Sequence, residues 1–266
     1  MAVPLQHVPR DGARVLKVLF VRHAESYNNV VHRELAAGLR AQRYSAEEAK
    51  ARWLALRSAD AKLSPAGRVQ AALLARAWSK QLPAKSAVIL SSAMLRALET
   101  AKPLSEALDC EVLVRTDCHE INGVYGICDS GGKLSPCYTK AKSRQQLAKE
   151  VADERFDFSA LPEEGEWNRG AGHESEESGR QRAAKLAAFC RSEEARDIAA
   201  GRMLVLVSHQ ALLGFIFEEI MGISDVNFAV GNSSTSMIMF PTSGKATCKW
   251  INRADHLLLT AGFRGK

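Results

Sequence analysis

Short apolar runs separated by longer amphipathic stretches divide the chain into alternating strands and helices. The apolar runs at residues 15–21, 87–90, 111–114 and 203–207 contain many β-branched residues and are too short for independent helices. Most of them are followed by a stretch with apolar residues at helical spacing. Buried strands that alternate with helices are typical of a mostly parallel sheet with helices on both faces. We therefore predict an α/β fold, a three-layer α/β/α sandwich.

Local signals set the limits of several predicted helices. Residues 30–57 have an amphipathic pattern that breaks near Ser45, a residue type suited to cap a second helix. Ser64 followed by Pro65 predicts another helix start, since the hydroxyl can cap and proline fits the first turn. This helix should end near residue 80, and its predicted core-facing residues are Val69, Leu73, Leu74 and Trp78.

The chain has no internal repeat and no low-complexity linker. We therefore predict one domain over residues 1–266, with insertions around 30–61 and 123–172. Residues 123–136 are rich in glycine and predict an irregular loop or lid. Residues 235–240 and 247–251, separated by a turn-forming segment, predict a terminal hairpin.

Charge and composition restrict the classes of partner. The net charge is +6, and its positive residues are scattered without aromatic interleaving, which argues against nucleic acid binding. An anionic small molecule suits this balance equally well. No segment has the length of apolar sequence that a membrane span needs. The six cysteines form neither a Cys-x-x-Cys pair nor a zinc-like cluster, so we expect reduced thiols in a cytoplasmic protein with no membrane partner.

Polar residues follow three of the predicted strands at their carboxyl ends. Arg22 and His23 follow the first strand, Ser91 and Ser92 with Arg96 beyond follow the second, and Ser208 with His209 follow the last. The carboxyl ends of parallel strands meet at one edge of a sheet, which is where open α/β sheets bind ligands. Guanidinium groups and helix amino termini at that edge would bind a phosphoryl group. Neutral imidazole beside them could attack phosphorus, and adjacent arginine charges favour the neutral form.

The same residues resemble the ordered signatures of a known group. The motifs are RHAES at 22–26, LSPAGRVQ at 63–70, SSAMLRALET at 91–100 and Ser-His at 208–209. Their sequence and order are similar to those of the histidine phosphatase superfamily, in its phosphoglycerate-mutase-like branch, from the first strand to at least Asn232. Ala24 stands where the family usually has glycine, and a methyl group should be tolerable there if the backbone φ is negative.

The resemblance implies a role for each matching position. His23 would become transiently phosphorylated, Arg22 and Arg96 would bind the phosphoryl oxygens, and His209 would donate to them. Asn29 would line the phosphate site, although the adjacent Asn28 is an alternative.

Glu120 lies at about the right distance after Arg96 to be the proton donor, with Glu25, Glu99 and Glu174 as competing carboxylates. No metal or cofactor is expected, because arginines and histidines supply the positive charge.

Each residue also has a structural explanation when taken alone. His209 could be a satisfied core histidine, and Arg96 could form an ion pair with Glu99 or Glu25. The basic residues after the glycine-rich segment favour a solvated helix face over contact with a second anionic group; they are Lys133, Lys140, Lys142 and Arg144. The six site positions together favour phosphoryl transfer.

The expected function is that of a phosphomonoester hydrolase acting on a phosphorylated small molecule, with a phosphoprotein as another possible substrate. A cofactor-dependent phosphoglycerate mutase is the first alternative. It ranks second because the run HEINGVYG at 119–126 does not resemble the corresponding mutase run. A non-catalytic module that binds a phosphorylated ligand is the second alternative. The sequence identifies neither the substrate nor the oligomeric state.

Overall fold

The architecture is described from a computed structural model for residues 15–163, 167 and 174–258. The amino-terminal segment and part of the 123–172 insertion therefore lie outside the described residues. Seven strands form the main sheet, in the spatial order β6-β3-β2-β7-β1-β8-β9. The strands are β1 (Leu16–Arg22), β2 (Ala87–Ser92), β3 (Val112–Arg115), β6 (Phe156–Asp157), β7 (Met203–Ser208), β8 (Thr235–Phe240) and β9 (Thr247–Arg253).

Five neighbouring strands of this sheet run parallel; at one edge β8 pairs antiparallel with β1, and β9 pairs antiparallel with β8. The strand β1 pairs with β7 so that Arg22 lies opposite Ser208. The strand β2 pairs with the other side of β7 so that Ser91 lies opposite Val207. This register brings the polar carboxyl ends of β1, β2 and β7 to the same edge.

Helices cover both faces of the sheet. They are α1 (Tyr27–Arg40), α2 (Ala46–Leu56), α3 (Pro65–Ser79), α4 (Leu95–Leu108), α5 (Arg144–Val151), α6 (Glu176–Phe189), α7 (Glu193–Ala199) and α8 (Gln210–Met221), and a 3₁₀ turn follows at Asp255–Leu257. Alternate residues of β1 separate two cores. Leu19 and Val21 pack with α3, α4 and α5, whereas Val18 and Phe20 pack with α6, α7 and α8. The predicted α/β/α sandwich is confirmed.

The predicted helix starts are confirmed, but not every predicted buried position is. Ser45 caps α2 through the Glu48 backbone N–H, and Ser64 caps α3 through the Gly67 backbone N–H. Leu74 and Trp78 face the core. Val69 is 54 % exposed, so its predicted core position is wrong. An apolar residue on the far side of the helix carries the same sequence signal as a core residue.

The segment predicted as an irregular loop at 123–136 is a regular hairpin instead. Strand β4 (Tyr125–Ser130) pairs antiparallel with β5 (Lys133–Tyr138), and Gly131 and Gly132 form the turn with positive φ. Polar residues with glycine at the turn gave a loop-like composition. Backbone pairing with a neighbouring segment is what makes the strand.

A disulfide bond joins Cys128 of β4 to Cys137 of β5. The expectation that all six cysteines are reduced is therefore wrong for this pair, and their use as an argument for a cytoplasmic location falls with it. The spacing of the two residues matched no known motif, and only the strand pairing brings them together. In the part of the chain that the structure describes, no helix combines the length and apolar character needed to cross a membrane.

Candidate active site

His23 lies immediately beyond the carboxyl end of β1 and is only 2 % exposed. Its backbone N–H donates to the Ser208 carbonyl over 2.9 Å, which joins the ends of β1 and β7. The next residue, Ala24, is buried, and its N–H donates to Thr100 Oγ1 over 2.9 Å. The imidazole is therefore held by backbone contacts on both sides of the turn.

The hydrogen bonds of the His23 ring define its tautomer. Nδ1 lies 2.7 Å from the Ala24 carbonyl oxygen, which only accepts, so Nδ1 carries the proton. Arg96 Nε donates to Nε2 over 3.2 Å, so Nε2 carries a lone pair. Burial, followed by the charges of Arg96 and Arg22, holds the pKa of His23 well below its usual value. The ring is neutral at pH 7, and its Nε2 lone pair is directed toward the guanidinium of Arg96.

Two buried guanidinium groups flank this ring. Arg22 Nη1 donates to the Val230 carbonyl over 2.5 Å. Its pKa falls to about 10 because of burial, an effect that Glu120 opposes and Arg96 reinforces. Arg22 Nε is buried and has no hydrogen-bond partner among the described residues. Such donors are suited to an anion that enters the site.

Arg96 lies in the first turn of α4 and is supported by Asp60. The Asp60 carboxylate accepts from the Leu95 backbone N–H over 3.0 Å, at the start of the same helix. Burial raises the pKa of Asp60 to about 6, and the charge of Arg96 opposes that rise. The carboxylate thus fixes the helix end that carries Arg96.

The second histidine lies beside the first. The ring centroids of His209 and His23 are 5.1 Å apart. His209 Nε2 is 2.8 Å from Ser92 Oγ, and among the described residues its buried Nδ1 has no partner. Burial, with the charge of Arg96, holds the pKa of His209 well below its usual value. His209 is thus a buried histidine with one unused ring nitrogen.

The two asparagines of α1 have different surroundings. Asn28 is bonded in both directions to the backbone of Ser58, over 2.8 and 2.9 Å. Asn29 Oδ1 accepts from the Ser26 N–H at 3.0 Å and from Asn232 Nδ2 at 3.2 Å. Because these bonds use the Asn29 oxygen, its amide N–H groups remain for the cavity that it lines.

Glu120 comes from the turn after β3 and reaches the amino terminus of α8. Its Oε1 accepts from the Leu212 backbone N–H over 3.2 Å, and its Oε2 accepts from that of Ala211 over 3.4 Å. Arg182 supports the same turn by donating to the carbonyls of Asp117 and His119, over 2.8 and 2.7 Å. The carboxyl group is therefore held at a fixed point of the cavity.

Comparisons with known proteins identify the family of this chain. The model of the histidine phosphatase superfamily (branch 1) matches residues 18–253. The chain belongs to that superfamily. A search of curated proteins found no match.

Two solved structures illustrate the shared fold. A mycobacterial glucosyl-3-phosphoglycerate phosphatase is 20 % identical, with a TM-score of 0.50, over 90 % of this chain and 99 % of its own. A phosphoserine phosphatase mutant from Entamoeba histolytica, in complex with phosphoserine, is 19 % identical, with a TM-score of 0.52, over 91 % of this chain and 99 % of its own. At these identities the likeness shows the fold alone. Membership of the superfamily makes this chain a phosphoryl-transfer enzyme.

The candidate site forms the inner end of a cavity of about 380 Å³. Five of the six positions singled out from sequence line it, and His209 lies against His23 without lining it. The lining positions are Arg22, His23, Asn29, Arg96 and Glu120. No three His, Cys, Asp or Glu side chains within the described ranges come together as ligands for a metal ion.

The competing carboxylates have other partners. Glu25 forms an ion pair with Arg33, and Ser64 Oγ donates to its other oxygen over 2.7 Å. Glu99 accepts from the Leu63 backbone N–H over 2.7 Å. Neither of them pairs with Arg96, so those two structural alternatives are wrong.

Glu174 is paired with Arg182 through 2.6 and 3.0 Å contacts. None of the three rivals lines the cavity, whereas Glu120 does.

Sequence reasoning missed the outer end of the cavity. Four of its lining residues are His32 of α1, Trp53 and Arg57 at the end of α2, and Tyr125 of β4. These residues belong to the two insertions, where no motif was found. The only available signal was the location of the insertions beside the predicted site.

Proposed function

We propose that this enzyme hydrolyses phosphomonoesters of small molecules through a phosphohistidine on His23. The observation that carries the proposal is the state of that ring: neutral, protonated on Nδ1, and with its Nε2 lone pair accepting from Arg96 Nε. A neutral imidazole is a competent nucleophile toward phosphorus.

The substrate phosphate would lie between Arg22, Arg96 and the amide of Asn29. Guanidinium groups match the oxygens of phosphate, and their charge stabilises the negative charge of the transferring group. His209 would donate to a phosphoryl oxygen. These donors are fixed in the folded protein, so little reorganisation accompanies the reaction.

In the first step His23 Nε2 forms a bond to phosphorus while the ester P–O bond breaks. The protonated carboxyl of Glu120 gives its proton to the leaving alkoxide. In the second step the Glu120 carboxylate takes a proton from water, whose oxygen attacks the phosphorus. The bond between His23 Nε2 and phosphorus breaks, phosphate leaves, and both His23 and the carboxyl group return to their starting states.

The test measures phosphate release from p-nitrophenyl phosphate by the wild type, His23→Ala and the control His256→Asn. His256 is buried against Ser233 and does not line the cavity. We expect His23→Ala to lose about 10³-fold or more in kcat, and the control to retain activity. Alkaline quenching during turnover should leave acid-labile phosphate on the wild type and on the control, but not on His23→Ala.

The other outcomes separate the alternatives. Isomerisation of 3-phosphoglycerate with little phosphate release would indicate a mutase. Tight phosphate binding with no turnover of either compound would indicate a binding module. Full activity in His23→Ala would contradict the phosphohistidine step.

A further inference from the structure

The outer end of the cavity contains a guanidinium that phosphoryl transfer does not use. Arg57 follows the last residue of α2 and lines the same cavity as Arg22 and Arg96. Its guanidinium carbon lies 3.7 Å from the centroid of the Tyr125 ring, and Nη1 donates to the Tyr125 carbonyl over 2.9 Å. No carboxylate of the described residues lies within ion-pair distance of it. The charge of Arg57 is thus held in place without a neutralising partner.

We propose that Arg57 binds a second anionic group on the substrate, so that the preferred substrates are phosphomonoesters whose leaving group carries a carboxylate or another phosphate. This proposal rests on the proposed function and names its substrate class.

The charge balance of the cavity supports this assignment. Carboxylates oppose the lowering of the pKa at the two inner guanidinium groups, Glu120 at Arg22 and Asp60 with Glu120 at Arg96. No carboxylate of the described residues acts on Arg57 in this way. Burial lowers the pKa of Arg57, an effect that Tyr125 opposes and Arg96 reinforces. A second anion would neutralise this charge.

The geometry of the cavity also supports binding of a second anionic group by Arg57. The cavity volume of about 380 Å³ is in the usual range for small-molecule sites, so a bound phosphate leaves space for an organic group. Arg57 is pre-positioned by the ring and carbonyl of Tyr125, so ordering its side chain costs little on binding. A planar guanidinium fits a carboxylate or a phosphate equally well.

The matched control is Arg52 of α2. Its guanidinium also lies over a tyrosine ring, 4.4 Å from the centroid of Tyr44, but it lines a different cavity. Arg57→Met and Arg52→Met therefore remove the same charge from two different cavities.

The experiment compares pairs of esters that differ in the second anion. 3-Phosphoglycerate is compared with glycerol 3-phosphate, and fructose 1,6-bisphosphate with fructose 6-phosphate. The measured quantity is the ratio of kcat/KM within each pair, for the wild type and both variants. The pair with the larger wild-type ratio identifies the anion as carboxylate or phosphate.

We expect the ratio of at least one pair to fall about ten- to a hundredfold in Arg57→Met, the range for a lost charge-assisted hydrogen bond. The ratio should stay within about threefold of wild type in Arg52→Met. A wild type that shows no preference for either second anion would overturn the proposal. Equal loss on both members of every pair in Arg57→Met would also overturn it.

Equilibrium binding of the same four esters to His23→Ala keeps this test separate from the proposed function. If the wild type hydrolyses none of them, the hydrolase proposal fails, but the binding ratios still report on Arg57. A binding preference that Arg57→Met removes supports the second-anion site, and equal binding within each pair contradicts it.

Discussion

The inner end of the cavity is built from the carboxyl ends of β1, β2 and β7, whereas the outer end is built from α1, α2 and the β4–β5 hairpin. At the inner end His23 and His209 are 2 % and 0 % exposed; the His23 backbone bonds to the end of β7, and the His209 ring contacts Ser92 of β2. At the outer end Leu56 of α2 and Tyr138 of β5 are 62 % and 50 % exposed. A densely packed site resists rearrangement, while a segment with few buried contacts opens at lower free-energy cost. We therefore expect the inner end to determine the chemistry and the outer end to determine which substrate enters.

The largest expected effect comes from the inner end. Arg96→Met removes the donor to His23 Nε2 and half of the positive charge that would bind the phosphoryl group. We expect kcat to fall about 10²- to 10³-fold. The measurement is steady-state kinetics on p-nitrophenyl phosphate, with circular dichroism to confirm folding. A fall of less than tenfold would contradict the role of Arg96.

Glu120→Gln should show an effect that depends on the leaving group. An alkyl ester needs a proton on its leaving oxygen, so its kcat should fall about 10²- to 10⁴-fold. p-Nitrophenolate leaves readily without a proton, so a much smaller loss is expected. Equal losses for glycerol 3-phosphate and p-nitrophenyl phosphate would argue against Glu120 as the acid.

Two glycines compare the packing beside the turn that follows β1 with the packing of α1 at the outer end. A Cβ on Gly67 would lie 1.9 Å from the Glu25 carbonyl oxygen, and backbone has little freedom to move away. Gly67→Ala should lower the free energy of unfolding by about 3 kcal/mol or more. A Cβ on Gly38 of α1 would meet the side chain of Tyr44 at 2.3 Å, which is free to rotate. Gly38→Ala should change stability by about 1 kcal/mol or less, because alanine favours the helix. Urea denaturation of both variants is the measurement, and similar losses would contradict the difference between the two ends.

The buried histidines should make the inner end sensitive to acid. Their pKa values are lowered in the folded chain, so below pH 6.5 the unfolded chain binds protons that the folded chain does not. The free energy of unfolding should therefore fall as pH decreases from 6.5, by up to about 1.4 kcal/mol per pH unit for each histidine. The pKa of Asp60 is raised to about 6 in the folded chain. Between its usual pKa and pH 6 Asp60 therefore binds protons in the folded chain, which raises the free energy of unfolding as the pH decreases.

Urea denaturation of wild type and His209→Gln at pH 7 and pH 5 tests this pH dependence. The variant should lose less stability over that interval, because one of the two buried histidines is absent. Equal losses would show that His209 does not titrate on unfolding in this range.

The smallest effect is expected at the hairpin. Replacing Cys128 and Cys137 together with serine removes the bond between β4 and β5, and β4 carries Tyr125 against Arg57. We expect KM for esters to rise about two- to fivefold through looser positioning of the hairpin, with kcat on p-nitrophenyl phosphate little changed.

Cys248→Ser, at an exposed thiol of β9, is the control. Titration of the unfolded, unreduced wild type should find four free thiols, and finding six would contradict the disulfide.

The two ends also differ in how far sequence alone predicts them. His23 and His209 were identified because each directly follows an apolar strand, a relation visible within a few consecutive residues. Gln210 directly follows His209 and lines the cavity, but nothing in the sequence assigned it a role. Asp60 has no local sequence signal for its role, yet it bonds to the backbone 35 residues further along the chain.

The amino-acid sequence by itself determined the alternation of strands and helices, the helix caps and the residues at the strand ends, because each depends on neighbours within a few positions. Tertiary structure decided which distant residues meet. It placed Asp60 at the helix that carries Arg96, joined Cys128 to Cys137, and brought Arg57 onto Tyr125 at the outer end of the cavity. Such contacts depend on how the two insertions fold back over the sheet edge, and that depends on packing of the whole chain rather than on any local pattern.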